Sequence, residues 1–388
     1  MKYRMLGKTG LKVSEIGFGA EWIGELSDEE ARDVAKRAHE AGVNIVDCWM
    51  ADPAVRAKLG YAIEPHRDDW IIQAHFGSTW QDGQYVRTRD MDKVVAAFED
   101  ELRLLRTDHF ELGMIHYVDA VDEYRQIMAG PFFAYVKEQL DAGVIEHIGI
   151  STHNPDVAQL AAEDGRIEMI MFSINPAFDL MPPTDDIEVL FGDYSTDGKE
   201  SLAGIDPTRE KLYATCERNE VGITVMKPLA GGRLLSAEAS PFGVALTPTQ
   251  CIHYCLTRPA VASVMVGFRS IAELEDAVTY ETSTPDERDY ASVLAKAPAH
   301  AYYGQCTYCG HCAPCSAGIN IALVNKFADL AAMQAKTPDE VPEGVRGHYA
   351  VLDATAADCT GCQDCEQRCP FGVPVAEKMQ QTAELFGF

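Results

Sequence analysis

Two periodicities alternate along the first three quarters of the chain. Short apolar runs read "VSEIGFG", "VNIVDC", "WIIQAHF", "FELGMIHYV", "EHIGISTH", "EMIMFSIN", "GITVMKPL" and "VASVMVGF". They are rich in β-branched residues and apolar nearly throughout, the pattern of strands buried on both faces. Helical stripes lie between them. Ala31, Val34, Ala35 and Ala38 recur at i, i+3, i+4 and i+7 behind the capping box "SDEE". Val94, Phe98, Leu102 and Leu105 make a second stripe, and "TPTQ" opens a third helix with Thr247 as cap and Pro248 at the first helical position. Strand–helix units repeated eight times over roughly 250–300 residues predict a (β/α)8 TIM barrel, class α/β. The alternative is a doubly wound sheet, but "GFGAEW" puts Trp22 where a dinucleotide fingerprint needs its third glycine. The pattern changes near residue 300, so the expected domains are a barrel over 1–298 and a small domain over 299–388.

Each predicted strand turns polar at its C-terminal end. In order, these ends carry Asp47 and Cys48, His75, His116, Ser151 with His153, Ser173 with Asn175, Lys227, and Arg269 with Ser270. Barrel enzymes build their sites on that face, so the set predicts a polar pocket. Cys48, Cys216, Cys251 and Cys255 are most simply small buried hydrophobes. The loops "GSTWQDGQYVRTRD" and Pro176 to Pro207 are long enough to cover a substrate. Arg87 and Arg89, in the first of them, read as solvated charges before they read as an anion grip.

Charge narrows the partners. The 388 residues carry a formal net charge of −27, which argues against nucleic acid or an anionic membrane. No apolar run approaches the ~18 residues of a spanning helix. The opening "MKYRMLGKTG" has charge without an apolar core, so no signal peptide and a cytoplasmic location are expected.

Cysteine changes the picture most. "CTYCGHCAPC" holds Cys306, Cys309, Cys312 and Cys315; "CTGCQDCEQRCP" holds Cys359, Cys362, Cys365 and Cys369. The second run has the C-x2-C-x2-C-x3-C-P spacing of bacterial ferredoxins. The first is one residue shorter, yet "CSAGINI" and "CPFGVPV" continue alike, so Cys315 and Cys369 are equivalent positions of an internal repeat. Two [4Fe–4S] clusters are expected. Zinc in a four-cysteine site is the rival, and disulfides are the structural alternative. In two-cluster ferredoxins the fourth cysteine of each run ligates the other cluster. One set is then Cys306, Cys309, Cys312 and Cys369; the other is Cys359, Cys362, Cys365 and Cys315. The 43 residues between the runs contain a helical pattern near "INIALVNKFADLAAM". Val375, Met379, Ala383 and Phe386 follow at helical spacing. This tail resembles the α-helical ferredoxin domain of multi-subunit reductases.

"YRMLGKTGLKVSEIGFG", "AGVNIVD" with Asp47, "MIHYVD" with His116, "HIGISTHN" with Ser151 and "VGITVMKPLAGGRL" together resemble the aldo-keto reductase family. The tail resembles that family's iron–sulfur branch. The resemblance implies NADP(H) in the barrel mouth and carbonyl reduction by an Asp, Tyr, Lys, His tetrad. Asp47 and His116 match it, whereas the tyrosine falls on Asp52 and the lysine on His75. The expected catalytic set is therefore His116 as principal acid–base, His75 assisting, Asp47 orienting or holding a proton, and Asp52 with a carboxyl that Asp47 could raise. For the nucleotide the resemblance implies Ser151 on the carboxamide and Phe172 stacked on the nicotinamide. It further implies Lys227, Gly231 and Gly232 on the pyrophosphate, with Arg269 and Ser270 on a 2′-phosphate. Ala277 and Met169 stand where the family has an adenine-reading asparagine and a glutamine.

Nicotinamide moves a hydride, and an iron–sulfur cluster moves one electron. No flavin motif is readable to convert between them, and flavin stays open. The leading expectation is an NADP(H)-linked oxidoreductase acting on a small carbonyl or conjugated substrate with altered acid–base residues. A cluster-fed one-electron reductase, served by a ferredoxin or another electron-transfer protein, is the second. A non-redox lyase or isomerase using the same histidines and aspartates is the third.

Overall fold

The computed structural model describes residues 1–191, 204–297, 302–333, 335 and 337–388. Eight parallel strands close into a barrel: β1 Ile16–Gly19, β2 Ile45–Cys48, β3 Ile71–Phe76, β4 Phe110–Ile115, β5 Ile145–Thr152, β6 Met169–Ser173, β7 Gly222–Met226 and β8 Val261–Gly267. Chain order is ring order, with β8 paired to β1. The first expected strand divides in two. Lys12–Ser14 pairs with Tyr3–Met5 in a hairpin across the floor, and only Ile16–Gly19 joins the barrel.

Alternate residues on each strand sort between two cores. Met114, Met169, Met171 and Met265 fill the barrel interior above Leu6 and Val13 of the floor hairpin. Their unbranched side chains suit an irregular tapering space. The other residues of the strands face the helices. The helix Asp28–Glu40 buries Ala31, Val34, Ala35 and Ala38 and starts at a formed Ser27–Glu30 capping box. Thr247 and Gln250 form the same box at the helix Pro248–Thr257.

The cysteine-bearing segment packs against the outer wall of the barrel. Its longer helices are Ile321–Ala332, Glu343–Ala350 and Val375–Phe386, the last burying Val375, Met379, Thr382 and Phe386. Tyr302 Oη donates to Pro176 O at 2.6 Å. Tyr290 Oη and the Arg258 guanidinium both donate to Thr307 O, at 2.6 and 2.7 Å. Buried donors without acceptors would each cost about 1–3 kcal/mol, so these bonds tie the barrel to the loop that carries Cys306. The expected boundary at 298/299 lies outside the described residues. Among the described residues no helix is long and apolar enough to cross a membrane.

Candidate active site and cluster sites

Asp47, Gln73, His75 and Ser151 sit on interior-facing positions of β2, β3 and β5, and His116 directly follows β4, near the C-terminal mouth. Each is buried, from 0 % exposed for Gln73 to 5 % for His116. One hydrogen-bonded line joins most of them. Asp47 Oδ1 accepts from Gln73 Nε2 at 2.8 Å and lies 2.8 Å from His75 Nε2. His75 Nδ1 is 2.9 Å from His116 Nδ1. His116 Nε2 is 2.7 Å from Tyr85 Oη. Thr224 on β7 donates to Gln73 Oε1 at 2.9 Å, which holds the amide nitrogen toward Asp47.

Tyr85 comes from a hairpin, Ser78–Gln81 paired with Gln84–Arg87, that rises directly after β3. Its turn is Asp82–Gly83, both left-handed at φ 51° and 78°, as a two-residue turn of primed type demands. Trp49 lies parallel to His116, with ring centroids 6.1 Å apart, and meets Tyr85 edge-on at 5.4 Å. Burial lowers His116 well below the usual histidine range, and the neighbouring His75 adds to that. Burial pushes the Tyr85 phenol up to about 12, against the pull of Arg87 and Arg89.

Behind this line, Glu101 Oε1 accepts from the His75 backbone N–H at 3.4 Å, and Glu101 pairs with Arg56 at 3.0 Å. Burial raises the Glu101 carboxyl to about 7 even with that arginine beside it. Cys48, on the outer face of β2, is raised by burial and by Glu101, which removes the thiolate that reactivity requires.

Two expected site residues have other partners. Asp52 caps the helix Pro53–Ile63, its Oδ1 accepting from Ala54 N at 2.8 Å, so that oxygen is taken up by the helix start. Phe172 points outward from β6. It is 0 % exposed, T-shaped to Tyr213 at 6.5 Å, with the Arg209 guanidinium 4.9 Å above its ring. Both partners belong to the helix Pro207–Arg218. The strand's pleat turns Met171 and Ser173 inward and Phe172 away, so this ring cannot stack on anything in the mouth.

The remaining expected nucleotide residues gather at β7, β8 and β5. Gly231 and Gly232 follow β7 with φ 67° and 88°, and space beyond Gly232 is open. Lys227 ends β7 at φ 56°. Burial lowers the Lys227 ammonium and raises the Glu21 carboxyl, and each partly offsets the other. The Arg269 guanidinium lies flat on Trp22 at 3.9 Å, and Ser270 caps the helix Ile271–Val278. Ser151 Oγ accepts from Tyr117 N at 2.8 Å, which leaves its hydroxyl hydrogen available to donate. His153, two residues on, bonds Asp119 Oδ2 through Nδ1 at 2.9 Å. Its Nε2 is buried without a partner. An orphaned buried nitrogen and a hydroxyl donor two residues apart fit a bound amide, so the residues present suit a nicotinamide nucleotide.

The cysteines line two cavities. Cys306, Cys309, Cys312 and Cys369 share the first; Cys315, Cys359, Cys362 and Cys365 share the second. All are free thiols rather than disulfides. A tetrahedral zinc with bonds of about 2.3 Å holds its sulfurs about 3.8 Å apart. Among the described residues only His39, His66 and Asp69, on the opposite end of the barrel, bring three ligand atoms within 4.8 Å of one another. The thiols are therefore spaced more widely than a single zinc ion would draw them. Asn325 Nδ2 donates to Cys306 Sγ at 3.3 Å, and Gly361 N to Cys359 Sγ at 3.4 Å.

Comparison with known proteins adds the lineage. The aldo/keto reductase family model matches residues 15–187, and the 4Fe-4S dicluster domain model matches residues 279–373. The chain carries an aldo/keto reductase domain followed by a 4Fe-4S dicluster domain. It is an oxidoreductase. An uncharacterised oxidoreductase of Bacillus subtilis, YqkF, is 27 % identical over 289 residues, covering 71 % of this chain and 90 % of that protein. The L-galactose dehydrogenase of Arabidopsis thaliana is 22 % identical over 313 residues, covering 73 % and 88 %. Among solved structures, the aldo-keto reductase AKR11C1 from Bacillus halodurans superposes with a TM-score of 0.58 at 24 % identity, covering 79 % of this chain and 99 % of that one. That likeness concerns the fold.

Proposed function

We propose that this aldo/keto reductase is an NADP(H)-linked oxidoreductase whose proton chemistry runs through Asp47, His75 and His116 in place of the family's tyrosine–lysine pair. The observation that carries the reading is the unbroken line from Asp47 Oδ1 through both imidazoles, with spacings of 2.8 and 2.9 Å, at the mouth of the barrel. When bound, the nicotinamide supplies or accepts the hydride. Lys227, Gly231, Gly232, Arg269 and Ser270 would hold its phosphates, and Ser151 with His153 its carboxamide. Arg269 suits a 2′-phosphate because a guanidinium gives two parallel charge-assisted bonds. Calorimetry on the cluster-loaded protein tests the reading: NADPH should bind more tightly than NADH, and no binding of either sinks it.

In the same proposal the two cysteine sets each hold a [4Fe–4S] cluster, with the barrel over 1–298 and the cluster domain over 299–388. A specific contact line favours a second reading, in which electrons pass between cluster and barrel. Phe371 lines the cavity of Cys306 and meets Tyr302 at 5.9 Å. Tyr302 Oη is 3.2 Å from Tyr254 Oη, and Tyr254 and Tyr213 both donate to Asp179. Tyr213 then touches Phe172 on the barrel wall. Anaerobic titration with NADPH separates the readings, since bleaching of the cluster absorbance without substrate requires such a path.

A further inference from the structure

The expected catalytic residue, His116, has no free ring nitrogen. His75 takes its Nδ1 and Tyr85 takes its Nε2. It is 5 % exposed beneath Trp49, whereas Tyr85 is only half-buried. Whatever His116 does to a substrate in the mouth must pass through Tyr85.

With Asp47 as a carboxylate accepting from Gln73 and both imidazoles neutral, the bonding pattern sets where the hydrogens are: His75 Nε2 donates to Asp47 Oδ1. A neutral His75 then has a bare Nδ1, which accepts from His116 Nδ1–H. His116 Nε2 is in turn bare and accepts from the Tyr85 hydroxyl. Every N–H and O–H along the line points inward, toward Asp47. The outward face of the phenol oxygen presents lone pairs alone.

We infer that Tyr85 is the catalytic residue that exchanges the proton with substrate, and that Asp47, His75 and His116 form an inward-polarised relay behind it. The inference rests on the oxidoreductase reading above but assigns a different group to the substrate. In the oxidative direction the substrate O–H breaks and its proton goes to Tyr85 Oη. The phenol hydrogen moves to His116 Nε2, the His116 Nδ1 hydrogen to His75 Nδ1, and the His75 Nε2 hydrogen to Asp47 Oδ1. Four hydrogens shift by one bond each, and the negative charge moves from Asp47 to the substrate oxygen in the mouth, from whose carbon a bound nicotinamide would take the hydride. Reduction runs the same line backward and needs the relay to start with one extra proton. The resting protein is thus set as a base, and oxidation should gain as pH rises while reduction falls.

Several charges face this relay and set its working range. Glu101 with its partner Arg56, Glu21 and Lys227 act on its Asp47 end; Arg87 and Arg89 flank Tyr85, both paired with Glu123. Tyr117 and His153 close the side toward β5. The buried, high-lying phenol stays protonated at neutral pH, as a relay needs.

Two measurements on the full-length, cluster-loaded protein decide the matter. The first uses no nucleotide: nitrogen-15 NMR of the imidazoles at neutral pH should find His116 Nε2 and His75 Nδ1 bare, and Tyr85→Phe should shift His116 Nε2 while leaving cluster absorbance unchanged. Hydrogen on His116 Nε2 in the wild type overturns the polarity. The second uses NADP⁺ with small secondary alcohols and NADPH with the matching ketones. Tyr85→Phe should lower kcat by roughly 10²–10⁴ in both directions and flatten the opposed pH profiles, with nucleotide affinity within about twofold of wild type. Turnover within about twofold of wild type overturns the assignment to Tyr85. Absent nucleotide binding in the wild type sinks the nicotinamide reading instead, and the NMR result still decides the relay.

Discussion

His75 Nδ1 lies 2.9 Å from His116 Nδ1, with both rings buried in the barrel mouth. A direct bond between two imidazoles needs one N–H and one lone pair, so the pair cannot hold two cations. Here the fold excludes a doubly charged state that the unfolded chain reaches freely in acid.

The first prediction follows for stability against pH. Burial lowers His116, His153 and His253, the last to about 4. An unfolded histidine takes its proton near 6.5, and the folded ones only lower. Above that value the two states bind equally and these groups have no effect. Below it the unfolded chain binds more protons, so stability falls as pH drops from about 6.5 toward about 4 for His253. Glu101 works the other way, because its raised carboxyl contributes stability below its unfolded value that is lost as pH rises through about 7. Comparing Tm for wild type and His253→Gln between pH 7 and 5 isolates the histidine. The variant should lose less on acidification, and parallel curves would count against the buried neutral form.

The second prediction concerns metal content. Two cubes require about eight irons per chain, with matching acid-labile sulfide; zinc without sulfide would refute them. Since Cys369 shares a cavity with Cys306, Cys309 and Cys312, Cys369→Ala should alter the cluster of the first run. Cys315→Ala should alter that of the second. Mössbauer and EPR spectra of the two variants should therefore show complementary losses, and damage confined to each cysteine's own run would refute the crossing.

The eight strands were legible because each is apolar on both faces, a pattern that few other structures impose, and the capping boxes at Ser27 and Thr247 are local signals that tertiary packing did not override. The cysteine spacing carried the tail in the same way. Tyr85 was missed although its signal was present: Asp82–Gly83 between Thr79, Trp80 and Tyr85, Val86 is a strong hairpin signature. That stretch read only as a covering loop. Phe172 was misplaced because a strand buried on both faces shows no alternation from which to tell inside from outside. Asp52 precedes a proline and opens a helix, so its capping role was as readable as that of Thr247, and the resemblance displaced it.

The third prediction separates those two roles of Asp52. As a cap, Asp52→Ala should destabilise the protein by about 0.5–2 kcal/mol, and Asp52→Asn should cost little. Both should keep wild-type kcat once folded. A loss of turnover in Asp52→Asn without a change in Tm would restore a catalytic role.

The fourth concerns nucleotide choice. Arg269 lies over the Trp22 ring and is exposed, which leaves its guanidinium open to a phosphate dianion. Arg269→Ala should remove most of any preference for NADPH over NADH, and Arg269→Lys should recover only part of it, since a point charge cannot reproduce paired bonds. Equal affinities for the two nucleotides in the wild type would remove the premise.

The last prediction tests Asp47 as the sink of the relay. Asp47→Asn keeps the shape of the side chain and can still accept from Gln73 or His75. It cannot take the proton that arrives from His75, so the line loses its terminus without losing its packing. Turnover should fall by roughly 10²–10⁴, the usual scale for general acid–base catalysis. KM and nucleotide affinity should stay near wild type, because neither depends on where the proton goes. A merely structural Asp47 would behave differently: Tm would drop, and added small carboxylates would not help. If Asp47 is the sink, Asp47→Gly opens room beside His75, and formate should restore part of kcat in a saturable way. Rescue by formate with no matching rise in Tm identifies a proton-accepting role, whereas unchanged kcat in Asp47→Asn would end the relay at His75.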